Sequence, residues 1–170
     1  MDKLKKKFGK IYDKNVEKIY RFVFLKVNSQ ETAEDITSQV FLRGWQAFQD
    51  KEKDIKNPRA FLYQIARNSI IDFYRERDKA KIISSEDFYI PNIPDSALNP
   101  EEKAIIGSDV EVIKNGLRGL KSDYQDVVIW HYLDDLSIKE ISKILGKQEG
   151  TVRVVLHRAI QSLKKEIGEA

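Results

Sequence analysis

The sequence contains no cysteine among its 170 residues. That excludes a disulfide framework, a thiolate nucleophile and any thiolate-held metal, and it fits a reducing compartment. Glycine (8) and proline (4) are scarce, so few positions interrupt regular structure. No apolar run approaches the roughly 18–20 residues that a bilayer crossing needs. The basic opening MDKLKKKFGK is followed by no apolar stretch, so it does not read as a secretory signal. No membrane insertion and a cytoplasmic location are the expectation. The two histidines, His131 and His157, fall on different predicted helices without supporting ligands. No nucleophile motif, phosphate-binding loop or metal spacing occurs. No catalytic residue, cofactor or metal is therefore expected.

What is present is helical period and unevenly distributed charge. Hydrophobic residues make up 41% and charged residues 34%, a balance suited to folded, highly soluble helical structure. The net charge is only +3, yet residues 1–80 carry 18 Lys and Arg against 12 Asp and Glu. Residues 82–102 carry Glu86, Asp87, Asp95, Glu101 and Glu102 and no basic residue. That acidic stretch also holds Pro91, Pro94 and Pro100, so it reads as a linker. The expected fold is all-α, with two small helical domains, 1–80 and 101–170, joined by a linker over 81–100.

Three helices are predicted in the first part. One runs from about Leu4 to Val27, with Phe8, Ile11, Tyr12, Ile19 and Val23 on a face. A second runs from about Glu31 to Phe48, burying Ala33, Ile36, Val40, Phe41, Gly44, Ala47 and Phe48. A third starts at Asn57-Pro58, a cap followed by the favoured first residue, and continues to about Arg77. It buries Leu62, Ile65, Ala66, Ser69 and Phe73. In the second part, helices are predicted over about 101–118, then from Ser122 with a Ser122/Gln125 capping box. A short helix follows from a Ser137/Glu140 capping box to Gly146, and a last one covers about 149–167.

The last helix carries the sharpest signal. At 100° per residue, Val152, Val155, Leu156, Ala159, Ile160, Leu163 and Ile167 share one side. The opposite side holds Arg153, Val154, His157, Gln161, Lys164 and Lys165, and residues 151–165 include no acidic residue. A short helix, a turn and a helix with such a face form a helix-turn-helix. Docked in a major groove, an arginine reads guanine and an aliphatic group meets a thymine methyl, which gives Val154 a purpose. The third helix repeats the pattern: Gln64, Arg67, Asn68, Ile71, Tyr74 and Arg75 turn outward, with Phe61 and Tyr63 flanking its start. Basic, amide and aromatic groups together suit single-stranded DNA. The second helix presents Asp35, Gln39, Leu42, Arg43 and Gln46, a mixed-sign stripe with an exposed leucine that suits a protein partner. Plain solvated faces remain the alternative for each stripe taken alone.

Three segments, AEDITSQVFLRGW (33–45), PRAFLYQIARNSIIDFYR (58–75) and LSIKEISKILGKQEGTVRVVLHRAIQSL (136–163), together resemble bacterial RNA polymerase sigma factors of the extracytoplasmic-function type. The resemblance implies a non-enzymatic factor that binds core RNA polymerase and directs it to promoter DNA. It implies that Asp35, Gln39, Leu42, Arg43 and Gln46 face the polymerase. It assigns Phe61, Gln64, Arg67, Asn68, Ile71 and Arg75 to −10 DNA, and Gly150, Thr151, Arg153, Val154, His157 and Arg158 to −35 DNA. The loop 49–57 would help hold a base turned out of the duplex, and the acidic linker would run through the polymerase cleft. An anti-sigma factor is an implied further partner, and a monomer the implied free state. The chain departs from the family in carrying Phe61 where tryptophan is usual. It also has Arg153, Val154 and Val155 where more polar residues are usual, and Gln148 where a capping serine is common. Two rival readings are a sigma-factor mimic that sequesters an anti-sigma factor, and a dimeric helix-turn-helix repressor.

Overall fold

The computed structural model describes residues 2–83 and 114–168, and the side chains of residues 80–83 are outside the description. Contacts divide the chain into two compact units, Met1–Leu98 and Asn99–Ala170. Among the described residues there is no strand. The helical expectation holds, as does the presence of two helical units.

The first unit is a bundle of three helices, each packed against the other two. Helix α1 spans Asp2–Val27, α2 Gln30–Lys51 and α3 Pro58–Ile83. The turn between α1 and α2 is closed by Asn28, whose φ of 57° lies in the left-handed region that asparagine tolerates. Ser29 then caps α2, its hydroxyl accepting from the Thr32 amide at 3.3 Å. The Asn57 side chain accepts from the Ala60 amide at 3.0 Å, so the expected cap before Pro58 forms. The interior is aromatic and β-branched: Ile19, Phe22, Val23, Val40, Leu62, Tyr63 and Ala66 are fully enclosed. Burying one such large side chain is worth roughly 1.5–3 kcal/mol, which makes the three apolar stripes the source of the bundle's stability. Phe8 packs its ring against Trp45 and Phe48 at 5.3 and 5.5 Å, and Tyr12 meets Phe41 edge-on at 4.8 Å. These contacts fix α1 against α2.

Three expectations need correction here. Helix α3 continues to Ile83 and does not end near Arg77, because the sequence after Arg77 offers helix formers and no glycine or proline to stop it. Tyr63, read as a flanking aromatic, is fully buried under Phe22, with ring centroids 5.8 Å apart. The segment 49–57 is only partly a loop: α2 runs on to Lys51, and Glu52–Asp54 forms a 3₁₀ turn. That turn is tied to α1 by an ion pair from Lys7 to Glu52 at 2.6 Å.

In the second unit, residues 114–117 are helical and Arg118 already lies in a turn; residues 101–113 of the helix expected over 101–118 lie outside the described residues, as do linker residues 84–100. Helix α4 covers Ser122–Val128 and passes into one π-helical turn, Ile129–Leu133. Helix α5 covers Ile138–Leu145 and α6 Glu149–Glu166. Helix α6 packs on both α4 and α5. The core contains Val127, Val128, Ile129, Trp130, Leu136, Ile141, Ile144, Val152, Leu156 and Ala159. The expected Ser122/Gln125 capping box does not form. Gln125 instead donates its amide to the Leu117 and Leu120 carbonyls at 2.6 and 3.3 Å, fastening the preceding turn, and Ser122 lies inside the helix. Ile167 is 39% exposed, because the helix has ended and the 100° rotation no longer turns it inward.

The Ser137/Glu140 box is complete: the Glu140 amide donates to the Ser137 hydroxyl, and the Ser137 amide to the Glu140 carboxylate, both at 3.1 Å. Ser137→Ala removes the first of these bonds. It should lower the unfolding free energy of this unit by about 1 kcal/mol, read as a shift of the urea midpoint at unchanged m-value.

Candidate functional site

Helices α5 and α6 are joined by three residues. Gly146 ends α5 in the left-handed conformation, φ 65° and ψ 31°, which L side chains resist and glycine accepts freely. The Lys147 amide returns to the Ser142 carbonyl at 3.2 Å, and the Ser142 hydroxyl donates to the Lys147 carbonyl. The turn is thus closed by backbone and side chain together. Gln148 precedes α6 without capping it through its side chain. Val152, Leu156 and Ala159 are buried, and this fixes the rotation of α6. Gly150, Thr151, Arg153, Val154, His157 and Arg158 are then all exposed. Val154 stands at the centre of that face with 49% of its surface accessible. A methyl group added at Gly150 would meet no protein atom within 4 Å, so packing does not demand glycine there.

On α3, Gln64, Asn68, Ile71 and Arg75 are exposed and follow at intervals of four, three and four residues, so they form one stripe. Arg67 departs from expectation. It is half-buried on the flank nearer α1, beside Tyr74, because its position on the wheel lies some 60° or more from the middle of the stripe. Phe61 is also half-buried. Tyr74, counted as outward from the sequence, reaches back across the bundle and donates its hydroxyl to the Lys26 carbonyl in the last turn of α1. Carbonyls in the last turn of a helix lack the amides of a following turn, so the bond closes one end of α1 and locks α3 against it. Burial raises the Tyr74 phenol above its ordinary value, with nearby Arg77 opposing the rise.

On α2, Asp35, Gln39, Leu42, Arg43 and Gln46 are all exposed, and Leu42 presents 57% of its surface. Three of the five border a groove of about 520 Å³ between α2 and α3. Its other bank holds Ser69, Asp72, Phe73, Arg75, Glu76 and Lys79. Arg43 spans the groove, its guanidinium 3.3 Å from the Ser69 hydroxyl. The structure therefore brings part of the α2 stripe and one residue of the α3 stripe to a single cleft. Asp72, Phe73, Glu76 and Lys79 were not read as functional from the sequence. Their 72/76 and 75/79 spacings signal one helix face, but only the packing of α2 beside α3 makes that face a groove wall. Among the described residues, no group of three His, Cys, Asp or Glu side chains could hold a metal. No helix there is long and apolar enough to cross a membrane.

A helix-turn-helix with an exposed basic second helix, and a three-helix unit with two polar stripes, define a helical protein of the helix-turn-helix class. Comparison with known proteins narrows this. Residues 11–80 match the family model Sigma-70 region 2, and residues 111–163 match Sigma-70 region 4. The chain belongs to the sigma-70 family, as a sigma factor of the extracytoplasmic-function type. Its relatives include the ECF RNA polymerase sigma factor BldN of Streptomyces coelicolor, 27% identical over 159 residues, or 93% of this chain. The chain spans only 59% of BldN's length. SigX of Bacillus subtilis is 26% identical over 94% of this chain and 83% of the relative, and SigM of the same organism 28% over 91% of each. Among solved structures, the sigma factor RpoE in complex with the anti-sigma factor NepR from Bartonella quintana shares the fold. Its TM-score is 0.79 at 22% identity, covering 95% of this chain and 97% of that one. CnrH in complex with the cytosolic domain of CnrY has a TM-score of 0.68 at 18% identity, covering 95% and 87%.

The Tyr74 contact generates a pH-dependent prediction. Its neutral form is favoured on folding, so its contribution is fully present below the ordinary phenol value near 10. It is lost as pH rises through the elevated folded value. Tyr74→Phe should cost about 1 kcal/mol at neutral pH and reduce the alkaline loss of stability, both measurable by denaturant titration at pH 7 and above pH 10.

Proposed function

We propose that this sigma factor binds core RNA polymerase and gives it promoter specificity, the first unit opening and reading −10 DNA and the second reading −35 duplex. In this division of labour, residues 1–80 form the polymerase-binding and −10 unit, residues 81–100 the tether, and residues 101–170 the −35 unit. The observation that carries the reading is that the α6 face around Val154 and the Gln64, Asn68, Ile71 and Arg75 stripe of α3 are solvent-exposed while the apolar side of each helix is committed to a core. Val154 and Ile71 are exposed aliphatic residues in polar faces, with no intramolecular role that burial would give them.

On α6, Arg153 offers a bidentate donor pair to a guanine edge, and Val154 offers methyl groups to a thymine. The bare Cβ position of Gly150 leaves room for the helix start to approach the duplex closely. His157, Arg158 and Thr151 supply contacts to phosphate or base at the margins of the same face. On α3, Asn68 and Gln64 offer amides to unpaired base edges, Ile71 an apolar surface and Arg75 a cation to the backbone. Phe61 supplies a ring for stacking. The half-buried Arg67 is suited to a phosphate at the edge of the stripe, since burial restricts its reach. A base turned out of the stack costs a few kcal/mol, offset by such contacts. Asp35, Gln39, Leu42, Arg43 and Gln46 form the polymerase-facing stripe, with Leu42 as its apolar centre. None of these roles calls for a reacting residue, a cofactor or a metal.

An anti-sigma factor is a further proposed partner, supported by the solved RpoE relative, which is held by one. The function itself is tested by runoff transcription. Core polymerase should gain selective initiation on a randomised promoter library when the chain is added, and unchanged, non-selective initiation would overturn the reading. Arg153→Ala should weaken −35 binding by about 1–3 kcal/mol and relax preference at one base position, measured by competition with single-base-substituted duplexes. Asn68→Ala should impair promoter opening, followed by permanganate reactivity of unpaired thymines, while capture of core polymerase persists.

A further inference from the structure

The lysines that open α1 serve neither the core nor any surface assigned above. Lys3, Lys6, Lys10 and Lys14 follow at intervals of three, four and four residues and lie along one face of α1, and all are exposed. Among the described residues none of the four is ion-paired. Lys7 is different: it is committed to Glu52 at 2.6 Å and sits over the Phe48 ring at 5.8 Å. Like charges three or four residues apart each cost a helix a few tenths of a kcal/mol. The stripe therefore carries a standing repulsion that Asp2, Asp13 and Glu17, three or four residues from its members, offset in part. Carboxylates border it at Asp2, Asp13 and Glu17 but do not interrupt the run from Lys3 to Lys10.

We propose that this lysine stripe is a separate contact for the sugar-phosphate backbone of promoter DNA, outside the −10 and −35 readers. The inference rests on the proposed promoter-binding function and extends it. From Lys3 to Lys14 the stripe is about 16 Å long at 1.5 Å per residue, a line of four cations that suits a linear polyanion. Lysine, a compact and strongly hydrated charge, gives affinity without base preference. An anionic lipid surface fits less well. A helix lying in a membrane needs an apolar face toward the lipid. Here Phe8 packs on Trp45 and Phe48, and Leu4 and Ile11 are half-buried, so the apolar side of α1 is already used by the bundle.

The test compares wild-type holoenzyme with one carrying Lys3→Gln, Lys6→Gln, Lys10→Gln and Lys14→Gln. Glutamine keeps helix propensity, and circular dichroism checks the fold. Each lost phosphate contact should reduce the slope of log K against log salt by about 0.9. The quadruple variant should thus show a slope shallower by about 3–4, with start-site selection unchanged. Selective wild-type initiation with the same slope for both proteins overturns the stripe alone. Loss by the variant of binding to phosphatidylserine vesicles, with the DNA slope unchanged, also overturns it and points to lipid. A wild-type chain that gives core polymerase no selectivity overturns the function and this inference together.

Discussion

Everything this protein presents to a partner depends on the rotation of each helix about its own axis, and burial of one apolar stripe sets that rotation. In the first unit the lock is the packing of Phe22, Tyr63, Leu62 and Val40 at the centre of three helices. In the second it is the burial of Val152, Leu156 and Ala159 of α6, which packs on α4 and α5. A rotation of 100° moves a residue one position around the wheel. An error of that size would exchange Val154 for Val155 and Ile71 for Ile70. Exposed aliphatic residues hold no helix in place, so the choice of which valine faces outward is made by the side chains that do not.

The polar contacts refine that arrangement. The Ser137/Glu140 box and the left-handed Gly146 fix both ends of α5, so α6 leaves the turn in one direction. Ser29 and Asn57 do the same for the starts of α2 and α3. Tyr74 ties α3 to the end of α1, and Arg43 ties it to α2 through Ser69. The last bond joins a residue of the α2 stripe to the helix that carries the α3 stripe, and the two stripes have different proposed roles. A side chain that faces the polymerase in the proposed function is also in contact with the helix that reads −10 DNA.

The groove between α2 and α3 changes the picture drawn from single helices. Asp72 and Glu76 bring carboxylates beside Arg75, and Lys79 follows. The exposed stripe of α3 thus has a half-buried flank at Arg67 and Tyr74 and a charged one at Asp72, Glu76 and Lys79. In the proposed function, Asp72 and Glu76 disfavour phosphate on the second flank, while Phe61 and Arg67 extend the DNA-facing surface beyond Gln64, Asn68, Ile71 and Arg75.

Local signals were legible in the sequence because they involve neighbours in the chain. The all-α class, the Asn57-Pro58 start, the Ser137 box, the Gly146 stop and the exposure of Val154 follow from spacing and backbone preference alone. The continuation of α3 past Arg77 was also in the residues, as an absence of any helix breaker. What tertiary structure decided involves atoms far apart in sequence. Tyr63 is buried because Phe22 lies across it, Tyr74 is drawn inward by the Lys26 carbonyl, and Gln125 turns from the Ser122 amide to the carbonyls of Leu117 and Leu120. A long side chain with one polar end can satisfy it in several places. The chain sets how far that end reaches, and the packed neighbours determine which partner it finds.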